Sequence, residues 1–201
     1  HSLTLAEEAY KANPLPLYIL QEGNTLYALK EYEKACEKYL SLRETNMRSA
    51  QIFLYAAQCK RMAKTDTLQI LALQDSAVAC FKKPYPKDAA PSLLERSNTL
   101  LELGRYREAI ADLNEYEHLM SNELTAYFYY RREQAEMQCR MFQQAVDDID
   151  RAIRMEPKEP LYHAERAVVY YRLGEFEEAL KSAQKSAELN PKFGDCLLYT
   201  S

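Results

Sequence analysis

The chain has 201 residues, 47% of them hydrophobic and 28% charged, enough for one good-sized domain or a repeat array. A net charge of −4 gives no electrostatic footprint for nucleic acid, whose affinity is carried by clustered Lys and Arg. No apolar run approaches the ~18 residues that span a membrane, so nucleic-acid partners and direct membrane insertion are both excluded from the expectation.

Four glycines and no tryptophan stand against sixteen tyrosines, and few β-branched runs occur, a pattern that argues for helices. Residues 3–12 read as the second helix of a partial unit closed by Pro14. Helices are then predicted in pairs, because apolar residues recur at three- and four-residue spacing on both sides of a turn: 16–29 with 32–44, 49–63 with 67–81, 91–103 with 106–120, 124–139 with 142–154, and 160–173 with 176–189. Between the second and third pairs, "KKPYPKDAAP" (Lys82–Pro91) reads as a bent connector.

The pairs repeat one local text. "LYALKEYEKAC" begins at Leu26, "LLELGRYREAI" at Leu100 and "YYRLGEFEEAL" at Tyr170. A turn falls at Lys30, Gly104, Arg140 and Gly174. Two residues later comes an aromatic (Tyr32, Tyr106, Phe142, Phe176), and three further on an alanine (Ala35, Ala109, Ala145, Ala179). Pro84, Pro157 and Pro191 close several units, with Met47 and Ser121 in that place elsewhere. The second unit is irregular: its loop around Lys64–Asp66 reads as about three residues longer, which puts Ala72 in the alanine place. The alanine has a steric reason. Two helices joined by a tight turn must cross closely, and a small residue admits the approach while the aromatic fills the space beside it; overpacking such a crossing costs roughly 1–3 kcal/mol.

A period of this length is the mark of stacked supersecondary units. "YYRLGEFEEALKSAQKSAELNP" and "FQQAVDDIDRAIRMEP" carry a pattern that resembles the tetratricopeptide repeat family, and the resemblance covers almost the whole chain through Pro191. The small residue that the family prefers in each first helix is Gly23, Ala57, Ser97 or Ala167, with Glu133 departing from it. The resemblance implies an all-α fold, an α-solenoid of antiparallel helix hairpins forming a right-handed superhelix. Hairpins in such arrays bury their faces by stacking, and arrays end in a polar capping helix. None is legible after Pro191, so residues 1–195 are expected to form a single array cut at both ends, able to self-associate through uncapped ends. "CLLYTS" (Cys196–Ser201) back-translates to a sequence resembling the transposase mosaic end used in preparing sequencing libraries, and residues 196–201 are expected to be a non-native tail.

The resemblance also places the first helices on a concave surface that holds a peptide or a partner helix. One phase of those helices carries Asn24, Gln58, Asn98, Gln134 and then Val168. A carboxamide has donors and an acceptor together, so such a column suits the backbone of a threaded chain. Nearby phases add Tyr27, Tyr55, Tyr130 and Tyr171, with Arg131 and Arg172 beside them, residue types enriched in binding hot spots. Some family members grip a partner's C-terminal carboxylate, as heat-shock chaperones present it, with a lysine one turn before the first amide. Here those positions are Leu20, Leu54, Leu94, Tyr130 and Ala164, which removes that clamp. Arg96 and Arg131 remain available to an acidic ligand side chain.

No catalytic set is expected. His118 and His163 lack a matched nucleophile, and no P-loop or G-x-S-x-G occurs. Asp147 and Asp148 in "AVDDID" read as solvated helix surface, and Glu177 with Lys181 as an i,i+4 pair. Cys36, Cys59, Cys80, Cys139 and Cys196 form no C-x-x-C pair, so no metal and no cofactor is expected; they read as buried thiols. An odd cysteine count favours a reducing cytoplasm, while the periplasm stays open because the chain does not begin with methionine. The expectation is a non-enzymatic interaction module with a protein or peptide partner. The alternative is the targeting or regulatory part of a larger enzyme.

Overall fold

The computed structural model describes residues 15–45, 50–80, 89–120 and 124–190. The predicted 3–12 helix, Pro14, Met47, Pro84, Ser121, Pro191 and the segment 196–201 lie outside them. The described residues form ten α-helices: α1 (Leu15–Ala28), α2 (Tyr32–Ser41), α3 (Ala50–Met62), α4 (Thr67–Cys80), α5 (Ala90–Glu102), α6 (Tyr106–Met120), α7 (Ala126–Gln138), α8 (Phe142–Met155), α9 (Pro160–Leu173) and α10 (Phe176–Leu189). The helix predicted over 32–44 ends at Ser41 and continues as a 3-10 turn, Leu42–Glu44. Among the described residues, no helix is long and apolar enough to cross a membrane.

Each hairpin turn is the same hydrogen-bonded object. Lys30, Lys64, Gly104, Arg140 and Gly174 all have positive φ, between 54° and 84°. Each donates its N–H to the carbonyl three residues back, and the next residue donates to the carbonyl five residues back, as in Gly174 to Tyr171 and Glu175 to Tyr170. That pair of bonds is a Schellman closure, which satisfies the last carbonyls of the first helix. Glycine adopts the left-handed conformation without strain, whereas Lys30, Lys64 and Arg140 hold it with a Cβ present. The α9 start is set as firmly: Pro160 occupies the first helical turn and the Glu159 side chain accepts from the Leu161 N–H. Thr125 caps α7 in the same way through Phe128.

The alanine of each regular unit is buried: Ala35, Ala109 and Ala145 completely, Ala179 nearly so. The second unit corrects the sequence register. From the positive-φ residue to the buried crossing residue is five positions in the regular units, Arg140 to Ala145 for example. From Lys64 it is six, to Ile70, and Ile70 and Leu71 are the buried pair while Ala72 is exposed. The loop is thus one residue longer, with Asp66 accepting from the Leu68 N–H to start α4. A longer turn relaxes the demand for close crossing, and there the chain carries isoleucine. Phe176 is the other exception. It is 64% exposed and meets the Tyr171 ring edge to face, centroids 5.7 Å apart, so it does not fill the α9–α10 crossing as the repeat pattern implied.

The chain divides into two compact units, His1–Thr99 and Leu100–Ser201. In the first, Ala35, Cys36, Tyr39, Leu42, Ile52, Ala56 and Cys59 form the main cluster between α1, α2 and α3. Gly23 is needed there, since a Cβ would sit 2.8 Å from Tyr39 Cε1. Cys36 and Cys59 are buried free thiols as expected, and burial pushes the Cys59 thiol up to about 11; Cys80 and Cys139 are half-buried. In the second, Ala126, Ile149, Ala152 and Tyr162 join α7, α8 and α9, and Ala145, Val146 and Val169 extend the core.

Candidate functional site

In the first unit, α3, α4 and α5 enclose a cleft of about 440 Å³. Its walls include Gln51, Tyr55, Gln58 and Arg61 from α3 and Glu95 from α5, with Gln74 of α4 among them. Two residues singled out in the sequence, Tyr55 and Gln58, therefore share one concavity. Tyr55 is held from behind by Tyr39, ring centroids 5.2 Å apart. Asn24, exposed on α1, accepts a 2.8 Å hydrogen bond from the Tyr39 hydroxyl. Tyr27 is half-buried and packs edge-on against Tyr32 at 5.4 Å, so much of its ring supports the hairpin. Asn98 is half-buried on α5. Arg96 is committed to Asp75 at 3.1 Å.

In the second unit, Tyr130, Arg131 and Gln134 form one linked group on α7. Gln134 Nε2 donates to the Tyr130 hydroxyl at 2.7 Å, and Arg131 Nη1 donates to Gln134 Oε1 at 3.3 Å. Burial pushes the Tyr130 pKa up to about 12, with Glu165 and Glu133 adding to the shift, so the phenol keeps its proton. Arg131 and Gln134 line a cleft of about 280 Å³ with Leu101, Glu102, Tyr106 and Gln138. Tyr171 and Arg172 are exposed near the end of α9.

Behind this face lies charge that the sequence reading missed. Asp148 is buried, not solvated, because it takes both arms of the buried Arg132 guanidinium, one at 2.9 Å. Arg132 also donates to Asn114 and Glu117 of α6, at 2.9 and 2.6 Å, and stacks over Phe128 at 5.1 Å. Burial alone would lower the Arg132 pKa, but the hydrogen bonds it donates to Asp148 and Glu117 hold it above its ordinary value. One side chain thus ties α6, α7 and α8 together. Glu133 is buried in the small-residue place. Its pKa is raised to about 9 by burial first, then by Glu165, Glu136 and Asp148; Glu136 is raised to about 8, again chiefly by burial. Burial thus favours the protonated form of both carboxyls.

Among the described residues, no group of three or more His, Cys, Asp or Glu is placed to hold a metal ion. His163 is buried and its Nε2 lies 2.9 Å from the Pro157 carbonyl, where it pins the turn before α9. Lys181 pairs with Glu178, three residues before it, in place of the expected Glu177.

A tetratricopeptide repeat profile matches residues 160–193. Over 187 residues the chain is 25% identical to the Hsp70-Hsp90 organizing protein of Triticum aestivum, covering 92% of this chain and 30% of that protein. It is 26% identical over 164 residues to Superkiller complex protein 3 of Mus musculus, covering 81% of this chain and 10% of that protein. The chain therefore spans less than a third of these relatives. Among solved structures, YrrB, described as a TPR protein with an unusual peptide-binding site, superposes with a TM-score of 0.75 at 16% identity, covering 95% of this chain and 93% of YrrB. A MamA structure gives 0.74 at 14% identity, covering 92% and 96%. At those identities the likeness is one of fold.

Proposed function

We propose that the chain, a tetratricopeptide repeat array and so a protein–protein interaction scaffold, holds an extended peptide segment of its partner on its first helices. The observation that carries this reading is the cleft lined by Tyr55 and Gln58, where a flat aromatic wall and a carboxamide stand together on a rigid helix. A peptide backbone offers one donor and one acceptor per residue, and carboxamides answer both. Asn24, Asn98 and Gln134 would continue that role on their own helices, with Tyr27, Tyr130 and Tyr171 giving contact area and Arg131 and Arg172 polar anchors. The relative named for organizing Hsp70 and Hsp90 supports a partner that is itself a protein. The absence of lysine at Leu20, Leu54, Leu94, Tyr130 and Ala164 argues against a terminal-carboxylate clamp, so an internal segment is the ligand favoured.

The test is a random-sequence peptide array probed with wild type and with Asn98→Ala combined with Gln134→Ala. Binding weakens in the double variant while helicity by circular dichroism stays the same. Unchanged affinity would remove the amide face from the interaction.

A further inference from the structure

We propose that the cleft between the α5–α6 turn and the end of α7 is a subsite for one anionic side chain, a carboxylate or a phosphoryl group, of the bound segment, with Arg107 and Arg140 as its recognition groups. This deepens the groove reading above and rests on it.

The starting observation is a place that the repeat makes twice and charges differently. A depression forms where a hairpin turn meets the end of the next first helix. In the first unit it holds about 330 Å³ and is lined by residues 30–34 with Ala63. In the second it holds about 400 Å³ and is lined by residues 104–108 with Gln138, Cys139 and Arg140. Position by position, Glu31 becomes Arg105, Glu33 becomes Arg107 and Lys34 becomes Glu108. The shape follows from the fold, and the charge does not. After the turns at Arg140 and Gly174 the same two places hold Met141 with Gln143 and Glu175 with Glu177. Among the regular turns the arginine pair therefore occurs once, in a chain whose net charge is −4.

Part of that charge is already used. Arg105 gives two nitrogens to Glu108, at 2.7 and 2.6 Å, and so occupies the one acid of the lining. Arg107 and Arg140 are exposed and pair with no carboxylate among the described residues. Arg140 also stands there at a cost. Its φ of 59° is one that Gly104 and Gly174 hold at the equivalent turns without strain, and the side chain that brings the cost lines the cleft.

The lining selects by charge. An acidic or phosphorylated side chain meets two guanidinium forks, each shaped to take two oxygens. An ammonium is repelled by both, and an apolar side chain gains only the Tyr106 ring. The cleft is also continuous with the groove. Tyr106 and Gln138 line both it and the smaller cleft that holds Arg131 and Gln134, so a segment lying against Gln134 reaches Arg107 and Arg140 without leaving the surface.

A positional-scanning peptide library, with each residue type and phosphoserine fixed in turn, reads the subsite on the full chain. Wild type shows about three- to tenfold enrichment for acidic types at one position, the size of one charge-assisted contact at an open site, and the enrichment fades at high salt. Arg140→Gly, which copies Gly104 and Gly174, loses most of it while the melting temperature rises, so unfolding does not account for the loss. Arg140→Lys, which copies Lys30 and Lys64, keeps most of it, and Arg107→Gln lowers it. Enrichment confined to phosphoserine assigns the cleft a phosphoryl group, and enrichment shared with Asp and Glu assigns it a carboxylate; either supports the subsite. A library that binds wild type without acidic preference, or a preference that survives both Arg140→Gly and Arg107→Gln, overturns the subsite and leaves the groove reading standing. A low-salt dimer that Arg140→Gly dissociates, in a chain without that preference, gives the cleft to a second copy and overturns the subsite as well. A library that does not bind wild type overturns both readings.

Discussion

The buried carboxyl of Glu133 should make the stability of the second unit fall with rising pH. A carboxyl whose folded pKa is raised contributes stability that is fully present below its unfolded value, near 4.5, and is lost as pH climbs through the folded value. For Glu133 and Glu136 those folded values are about 9 and about 8, so the window runs from acid to mildly alkaline. Within it each group removes up to roughly 1.4 kcal/mol per pH unit. Burial is the first cause for both. The charged neighbours are Glu165, Asp148, Asp147 and Glu136 on the destabilising side, against Arg132 and Arg151. Raising the pH by about one unit through neutrality should therefore cost roughly 1–3 kcal/mol, several degrees in melting temperature for a domain of this size. Melting followed by circular dichroism at a series of pH values measures the slope. Glu133→Gln keeps the shape and removes one titration, so its slope should be shallower than that of wild type, and Glu133→Gln with Glu136→Gln shallower still, with the raised Glu165 carboxyl leaving a residual slope of the same sign. An unchanged slope in Glu133→Gln, or wild-type stability that rises across the window, would refute the assignment.

Arg132→Met leaves the buried Asp148 only its longer 3.4 Å pairing with Arg151 and should cost about 3–5 kcal/mol; adding Asp148→Leu should recover part of it, by urea denaturation. Ala145→Leu overpacks a completely buried crossing and should cost about 1–3 kcal/mol, visible as a lower midpoint in the same assay. Arg140→Gly relieves a left-handed residue at φ 59° and should raise stability by about 0.5–1 kcal/mol, seen as a higher melting temperature.

The features legible in the sequence were those fixed by backbone geometry. A hairpin closed by a Schellman turn needs a left-handed residue, then a helix start, then a small buried residue at constant distance, and those demands recur whatever the neighbours are. That is why Gly104, Arg140 and Gly174 and their alanines could be found by spacing alone. Charge followed a different rule. Asp148 belongs to a solvated face by its helical text, and only the arrival of Arg132 from α7 buries it. Glu133 looked like a flaw in the repeat, and the fold accommodates it as a neutral acid. Such pairings depend on which side chain crosses the helix interface, which a period does not encode.

The buried Gln74 was obscured by a single count. With the loop after Lys64 read as three residues long in excess, Ala72 became the crossing residue and Ser76 fell four positions on, a small residue that attracts no notice. With the observed excess of one, the crossing residue is Ile70, and the same four-residue step lands on Gln74. A helix turns about 100° per residue, so a shift of two positions moves the predicted inward face to the opposite side. The irregular unit is thus where the array departs most from its own rule: a longer turn, isoleucine in place of alanine, and a buried amide in place of an apolar side chain. The first two departures keep the hairpin packed. The third ties α4 to α5 through the Gln74 bond to the Glu95 carbonyl, and it lies beside Tyr55 and Gln58 in the cleft.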